Sequence, residues 1–97
     1  MDGQRGMTVT DECYNCGRYG QTEKHHIFHG SANRKICDGY LSLQVYLCPD
    51  CHRGTNGVHG KNGHELDLAL KRSGQRIFEA DHGTRKEFIK LFGRNYL

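Results

Sequence analysis

Tryptophan is absent from this chain, proline occurs once, and acidic residues nearly balance basic ones at 11 to 14. No apolar run approaches the roughly 18 residues that a membrane-spanning helix needs, so no membrane is expected as a partner. Met1 to Gly6 hold no apolar stretch of the kind a secretory signal uses, and the chain is expected to stay in a reducing, cytoplasmic compartment. The mild positive charge permits nucleic-acid binding without requiring it. Hydrophobic residues supply only 35% of the 97 positions, while glycine takes 13. A chain of this length supports one domain at most, with a core thin enough to need a staple. It carries no internal repeat and no low-complexity tract.

Sulfur and imidazole are what it does have: five cysteines and seven histidines. An odd cysteine count in a reducing compartment argues for metal ligation over disulfides. Four of the five form two Cys-x-x-Cys pairs, Cys13/Cys16 and Cys48/Cys51, leaving Cys37 as a plain small residue. Four thiolates in two such pairs match a tetrahedral structural zinc, and a redox use of the pairs is the weaker reading. The ion would tie together turns about 30 residues apart and so stand in for missing core.

Taken in order, residues 1 to 12 are polar and without period, and are expected to form a flexible lead to a single domain over residues 13 to 97. Cys13-Tyr14-Asn15-Cys16-Gly17 has the form of a zinc knuckle, with Gly17 free to take the positive φ of a tight turn. Around Ile27 and Phe28, the stretch Lys24 to His29 reads as a strand. Alternation along a strand sends His25 and His26 to opposite faces, which allows them different work. Gly30 to Gly39 reads as a loop holding Ser31, Asn33, Arg34 and Lys35. Leu41, Leu43, Val45 and Leu47 then alternate with polar neighbours as a second strand that leads into Cys48. The segment Arg53 to Gly63 contains four glycines and reads as a flexible loop presenting His59. A helix is expected from His64 to about Ala80, weakened at Ser73-Gly74, and another over Arg85 to Phe92. Thr84 and Glu87 supply a capping box for the second.

Hydrolysing a phosphodiester at neutral pH needs a base for water, a cation for the phosphate and leaving oxygen, and groups that orient both. Imidazole, with a reference pKa of about 6.5, is a fit base and a good ligand for divalent metals. In Cys13-x-x-Cys16, His25-His26, and Leu47-Cys48-Pro49-Asp50-Cys51-His52 with His59, the chain resembles the HNH endonucleases. The likeness is to their short phage and prophage members stapled by a four-cysteine zinc, and it covers Cys13 to His59. It implies an α+β, ββα-metal (His-Me finger) hairpin and helix with a zinc knuckle, followed here by two C-terminal helices. It further implies a metal-dependent DNA endonuclease of a bacterial cell's cytoplasm. In it His25, His52 and His59 hold a catalytic divalent ion and His26 is the general base. The resemblance implies Mg2+ or Mn2+ for that ion, while histidine ligation by itself favours Zn2+ or Ni2+.

Two features depart from the family. Its middle Asn has no counterpart in Gly39 to Leu43, leaving Asn33 either to take that catalytic bracing role or to serve as a turn residue. The spacer from His52 to His59 exceeds one helical turn, so His59 must arrive on a loop, with His64 as the alternative ligand. Arg34, Lys35 and Arg53 are candidates to grip DNA phosphates, or are ordinary solvated charges. Two other functions compete: a catalytically inactive zinc-stapled module binding DNA or a phage or host protein, and a thiol-based redox or metal-storage protein.

Overall fold

The computed structural model describes residues 8–97, so residues 1–7 of the expected lead lie outside the described residues. The rest of that lead is a strand. β1 (Thr8–Glu12) runs antiparallel to β2 (Tyr19–His26), in a register from Thr8 opposite Glu23 to Glu12 opposite Tyr19. Three of its five residues are β-branched, and the Thr22 hydroxyl donates to the Val9 carbonyl at 2.8 Å. Backbone pairing within a hairpin needs no apolar period, which is why the sequence looked structureless there.

The sheet has the order β1-β2-β3, with β3 at Gln44–Leu47. Both expected central strands are displaced. β2 starts earlier than expected and ends at His26, before Ile27 and Phe28. The alternation from Leu41 is only partly strand, because Leu41–Leu43 forms a 3-10 turn closed by the Leu43 N–H donating to Tyr40. Leu41 itself is 80% exposed, whereas Leu43, Val45 and Leu47 are buried. The expected loop from Gly30 to Gly39 is a helix, α1 (Ser31–Asp38), which buries Cys37. After β3 come α2 (Pro49–Arg53), with its proline in the first turn where no N–H is missed, then α3 (His64–Asp81) and α4 (Arg85–Phe92). The described residues therefore form a small α+β fold.

The chain separates into two compact units, each assembled from two stretches. One comprises the residues up to His25 together with Val45–Asp67. Among its described residues the buried side chains are few: Cys13, Thr22, His25, Val45, Leu47, Cys48 and Val58. The other comprises His26–Gln44 and Leu68–Leu97, and it contains all four phenylalanines, each buried. Phe28 meets Phe88, Phe92 and Tyr96 at ring-centre distances of 5.2, 4.5 and 5.6 Å. α3 spans the helix expected from His64 to about Ala80 and is continuous through Ser73-Gly74, where a weakened middle was expected. Gly74 is buried, and a Cβ there would lie 2.9 Å from the Phe28 ring and 3.0 Å from Ile27. Close approach of helix to ring is what the missing side chain provides. The capping box of α4 is present as expected, with Thr84 accepting from the Glu87 N–H and Glu87 accepting from the Thr84 N–H.

Candidate metal centres

Cys13 and Cys16 sit at the tip of the β1–β2 hairpin. The turn closes through Gly17 N–H to Cys13 at 3.0 Å, with Gly17 at φ 78. Cys48 and Cys51 flank the start of α2, and the Tyr14 N–H donates to Tyr46, two residues before Cys48. These constraints bring the four sulfurs into one cluster whose ligand atoms all lie within 4.8 Å of one another. The Cys16 and Cys48 Sγ atoms are 3.8 Å apart. A tetrahedral zinc at about 2.3 Å from each sulfur sets an edge of about 3.8 Å, so the cluster has the dimensions such an ion needs. Asn15 Nδ2 and the Cys16 N–H point at Cys51 and Cys13 sulfur, as donors to thiolates do.

The thiols do not share charge evenly. Burial pushes Cys13 up, but the N–H groups of Cys16, Cys48 and Asn15 outweigh it and the thiol falls to about 6. Cys51 is pushed up to about 12, by burial first and, against the Asn15 amide, by the neighbouring thiols. One thiolate forms readily and the last resists, unless a cation neutralises the group.

The second cluster is made of imidazole. His25 comes from β2, His52 from α2 and His59 from the segment after it, with ring centres 5.3, 5.1 and 4.8 Å apart. Their ligand nitrogens also lie within 4.8 Å of one another. Imidazoles on one ion at 2.0–2.1 Å place ring centres roughly 5 Å apart. His64, the alternative, is exposed at the head of α3 and is not in the cluster.

His59 is held there by a compact coil where a flexible loop was expected. Gly57, Gly60 and Gly63 each donate their N–H to the glycine three residues earlier, at 2.9, 2.8 and 3.2 Å. A second set of bonds folds the coil back onto α2: Val58 to Cys51 at 2.8 Å and His59 to His52 at 3.0 Å. A Cβ on Gly60 would collide with the Gly54 carbonyl, and one on Gly63 with the Gly57 carbonyl. The glycines serve close backbone stacking, and the every-third-residue spacing 54, 57, 60, 63 was the signal for it.

Sequence reasoning missed Glu23. Its carboxylate accepts from His52 Nδ1 at 2.8 Å and from Arg53 Nε and Nη2 at 3.0 and 2.9 Å. The Arg53 guanidinium, and after it the His52 ring, hold the Glu23 carboxyl below the usual carboxylate range. A carboxylate on one ring nitrogen, leaving the other for an ion, is the usual outer shell of a metal-bound histidine. The readable signal was Glu23-x-His25, a carboxylate and an imidazole on the same face of one strand. Arg53, proposed above as a phosphate contact, instead has these donors turned to Glu23.

His26 belongs to the other unit, 8% exposed, with its Nε2 at 2.7 Å from Asp38 Oδ1. Asn33 lies in the first turn of α1 and its Nδ2 donates to the His29 carbonyl at 3.4 Å. Arg34 and Lys35 are exposed on the same helix. Cys37 is buried beneath it, its thiol raised by burial and directed at the Phe28 carbonyl. Among the described residues, no helix is long and apolar enough to cross a membrane. Comparison with family models, with curated proteins and with solved structures finds no match to this chain.

Proposed function

We propose that this protein is a metal-dependent DNA endonuclease of the HNH type, with the cysteine cluster as its structural zinc site. The observation that carries the reading is the convergence of His25, His52 and His59, from three separate segments, with His52 oriented by Glu23. Packing alone does not explain the convergence, since His59 is exposed and His52 only half-buried. The donor set suits a divalent ion, and three imidazoles favour Zn2+ or Ni2+ over the harder Mg2+ and Mn2+. Such an ion, when bound, supplies positive charge for the scissile phosphate and the leaving oxygen.

His26 is the general base. Its imidazole takes a proton from water, the water oxygen forms the new bond to phosphorus, and the bond from phosphorus to the 3′ oxygen breaks. The departing oxygen collects a proton from solvent, leaving 5′-phosphate and 3′-hydroxyl ends. Arg34 and Lys35, exposed on α1, are the proposed phosphate contacts.

Plasmid cleavage in a series of divalent metals, comparing the parent with His26→Ala, tests this. The parent is expected to cut, and His26→Ala to lose about 10²-fold or more while keeping its circular dichroism and melting temperature. Equal cleavage by the variant removes His26 from the mechanism. A parent inert in every metal would leave a zinc-stapled binding module.

A further inference from the structure

We infer that Asp38 is a positioning residue for His26, an inference that rests on the proposed hydrolytic reading. The two side chains are 2.7 Å apart, His26 almost fully buried and the Asp38 carboxylate 63% exposed. A carboxylate has no proton to give, so His26 Nε2 is the donor and Nδ1 carries the lone pair. Nδ1 is then the nitrogen that receives the water proton, and the carboxylate lies where positive charge develops as it does so. A base whose ring is held by a third group is the general pattern for histidine catalysis.

The surroundings favour a positioning role over an incidental surface pair. Asp38 is the last residue of α1, where a negative charge opposes the helix dipole and is locally unfavourable. Its helix is tied down on both sides: the Cys37 thiol points at the Phe28 carbonyl, and Gln44 Nε2 donates to the Cys37 carbonyl at 2.8 Å. Gly39 and Tyr40 donate back to Ile36 and Cys37, closing the helix end. The carboxylate is therefore presented by a fixed backbone to a ring that is itself buried. Asn33, the other polar candidate on α1, is committed to the His29 carbonyl.

The test uses the full-length, zinc-loaded protein and two readouts. In single-turnover cleavage, Asp38→Ala is expected to lower the rate constant about 10- to 100-fold, by analogy with the outer partners of metal-bound histidines, with the half-saturating DNA concentration and melting temperature unchanged. Asp38→Glu restores most of that loss. In the 1H–15N spectrum of histidine-labelled protein, the parent gives an exchange-protected His26 Nε2–H signal that Asp38→Ala removes and Asp38→Glu recovers. Parent-like cleavage by Asp38→Ala, or no protected ring N–H in the parent, overturns the inference. Should the parent fail to cleave DNA at all, the hydrolytic reading falls, and the ring signal still decides whether Asp38 holds His26.

Discussion

Glu23 shows how much one side chain arranges at the histidine cluster. It accepts from His52 and binds the fork of Arg53, so a single carboxylate fixes one ring of the histidine cluster and is itself fixed. Because Arg53, and then His52, depress its pKa, it stays ionised as solution is acidified past the point where an ordinary carboxyl would begin to protonate. Glu23→Gln keeps the shape but removes the charge and turns an amide N–H toward one of its donors. The variant is expected to bind Ni2+ or Co2+ at the histidine cluster about 10- to 100-fold more weakly. Calorimetric titration of zinc-loaded protein measures this, and the cobalt–thiolate bands of the cysteine cluster should not change. Unaltered affinity at the histidine cluster would strip Glu23 of the role. The histidines themselves stood out in the sequence because imidazole is rare and chemically distinctive. Glu23 did not, since carboxylates are common and only the strand's alternation relates it to His25.

Elements were legible where their signals are local. The capping box at Thr84 and Glu87 marks α4 because a helix terminus is satisfied by residues three apart in sequence. α1 was missed because it offers one buried residue, Cys37, whose bonds to Phe28 and Gln44 join residues that the local pattern does not relate. α3 was foreseen but its glycine was misread. Gly74 lowers helix propensity by about 1 kcal/mol relative to alanine, and propensity alone predicts that Gly74→Ala stabilises the protein. Packing predicts the opposite. The added Cβ would press on Phe28, which is fully buried among Phe88, Phe92 and Tyr96 and has nowhere to swing. Overpacking of a filled core costs about 1–3 kcal/mol. Gly74→Ala is therefore expected to destabilise by up to about 2 kcal/mol net, read as a lower urea midpoint with an unchanged slope. A raised midpoint would mean that the ring yields.

Across the whole molecule, apolar burial is unevenly shared. All four phenylalanines lie in the unit built from His26–Gln44 and Leu68–Leu97. The other unit, among its described residues, buries mostly cysteine, histidine and small aliphatic side chains. A metal ion held by the four cysteines would supply the stability that so little apolar burial does not, whereas its companion has a core of rings. Chelation of zinc is expected to abolish amide-exchange protection in residues 8–25 and 45–67 while protection around Phe78 and Phe88 largely survives. Uniform loss, or none, would contradict this division. Acid should act in the same direction as chelator. Zinc needs all four thiols deprotonated, Cys51 resists most, and so the ion is held more tightly as pH rises and released as pH falls.

The sequence by itself determined the chemistry available: two Cys-x-x-Cys pairs spaced for one tetrahedral ion, a surplus of imidazole, and local start signals for the last helix. Ligand type and short-range spacing are properties of the chain, and need no fold to be read. Only the tertiary structure decided which groups meet. It drew His59 rather than His64 beside His25 and His52, through backbone stacking that glycine alone permits. It also set Glu23 against His52 and Asp38 against His26, pairs separated by 29 and 12 residues. Contacts over such separations depend on how strands and helices pack, and that is settled by the folded core rather than by neighbours in the chain.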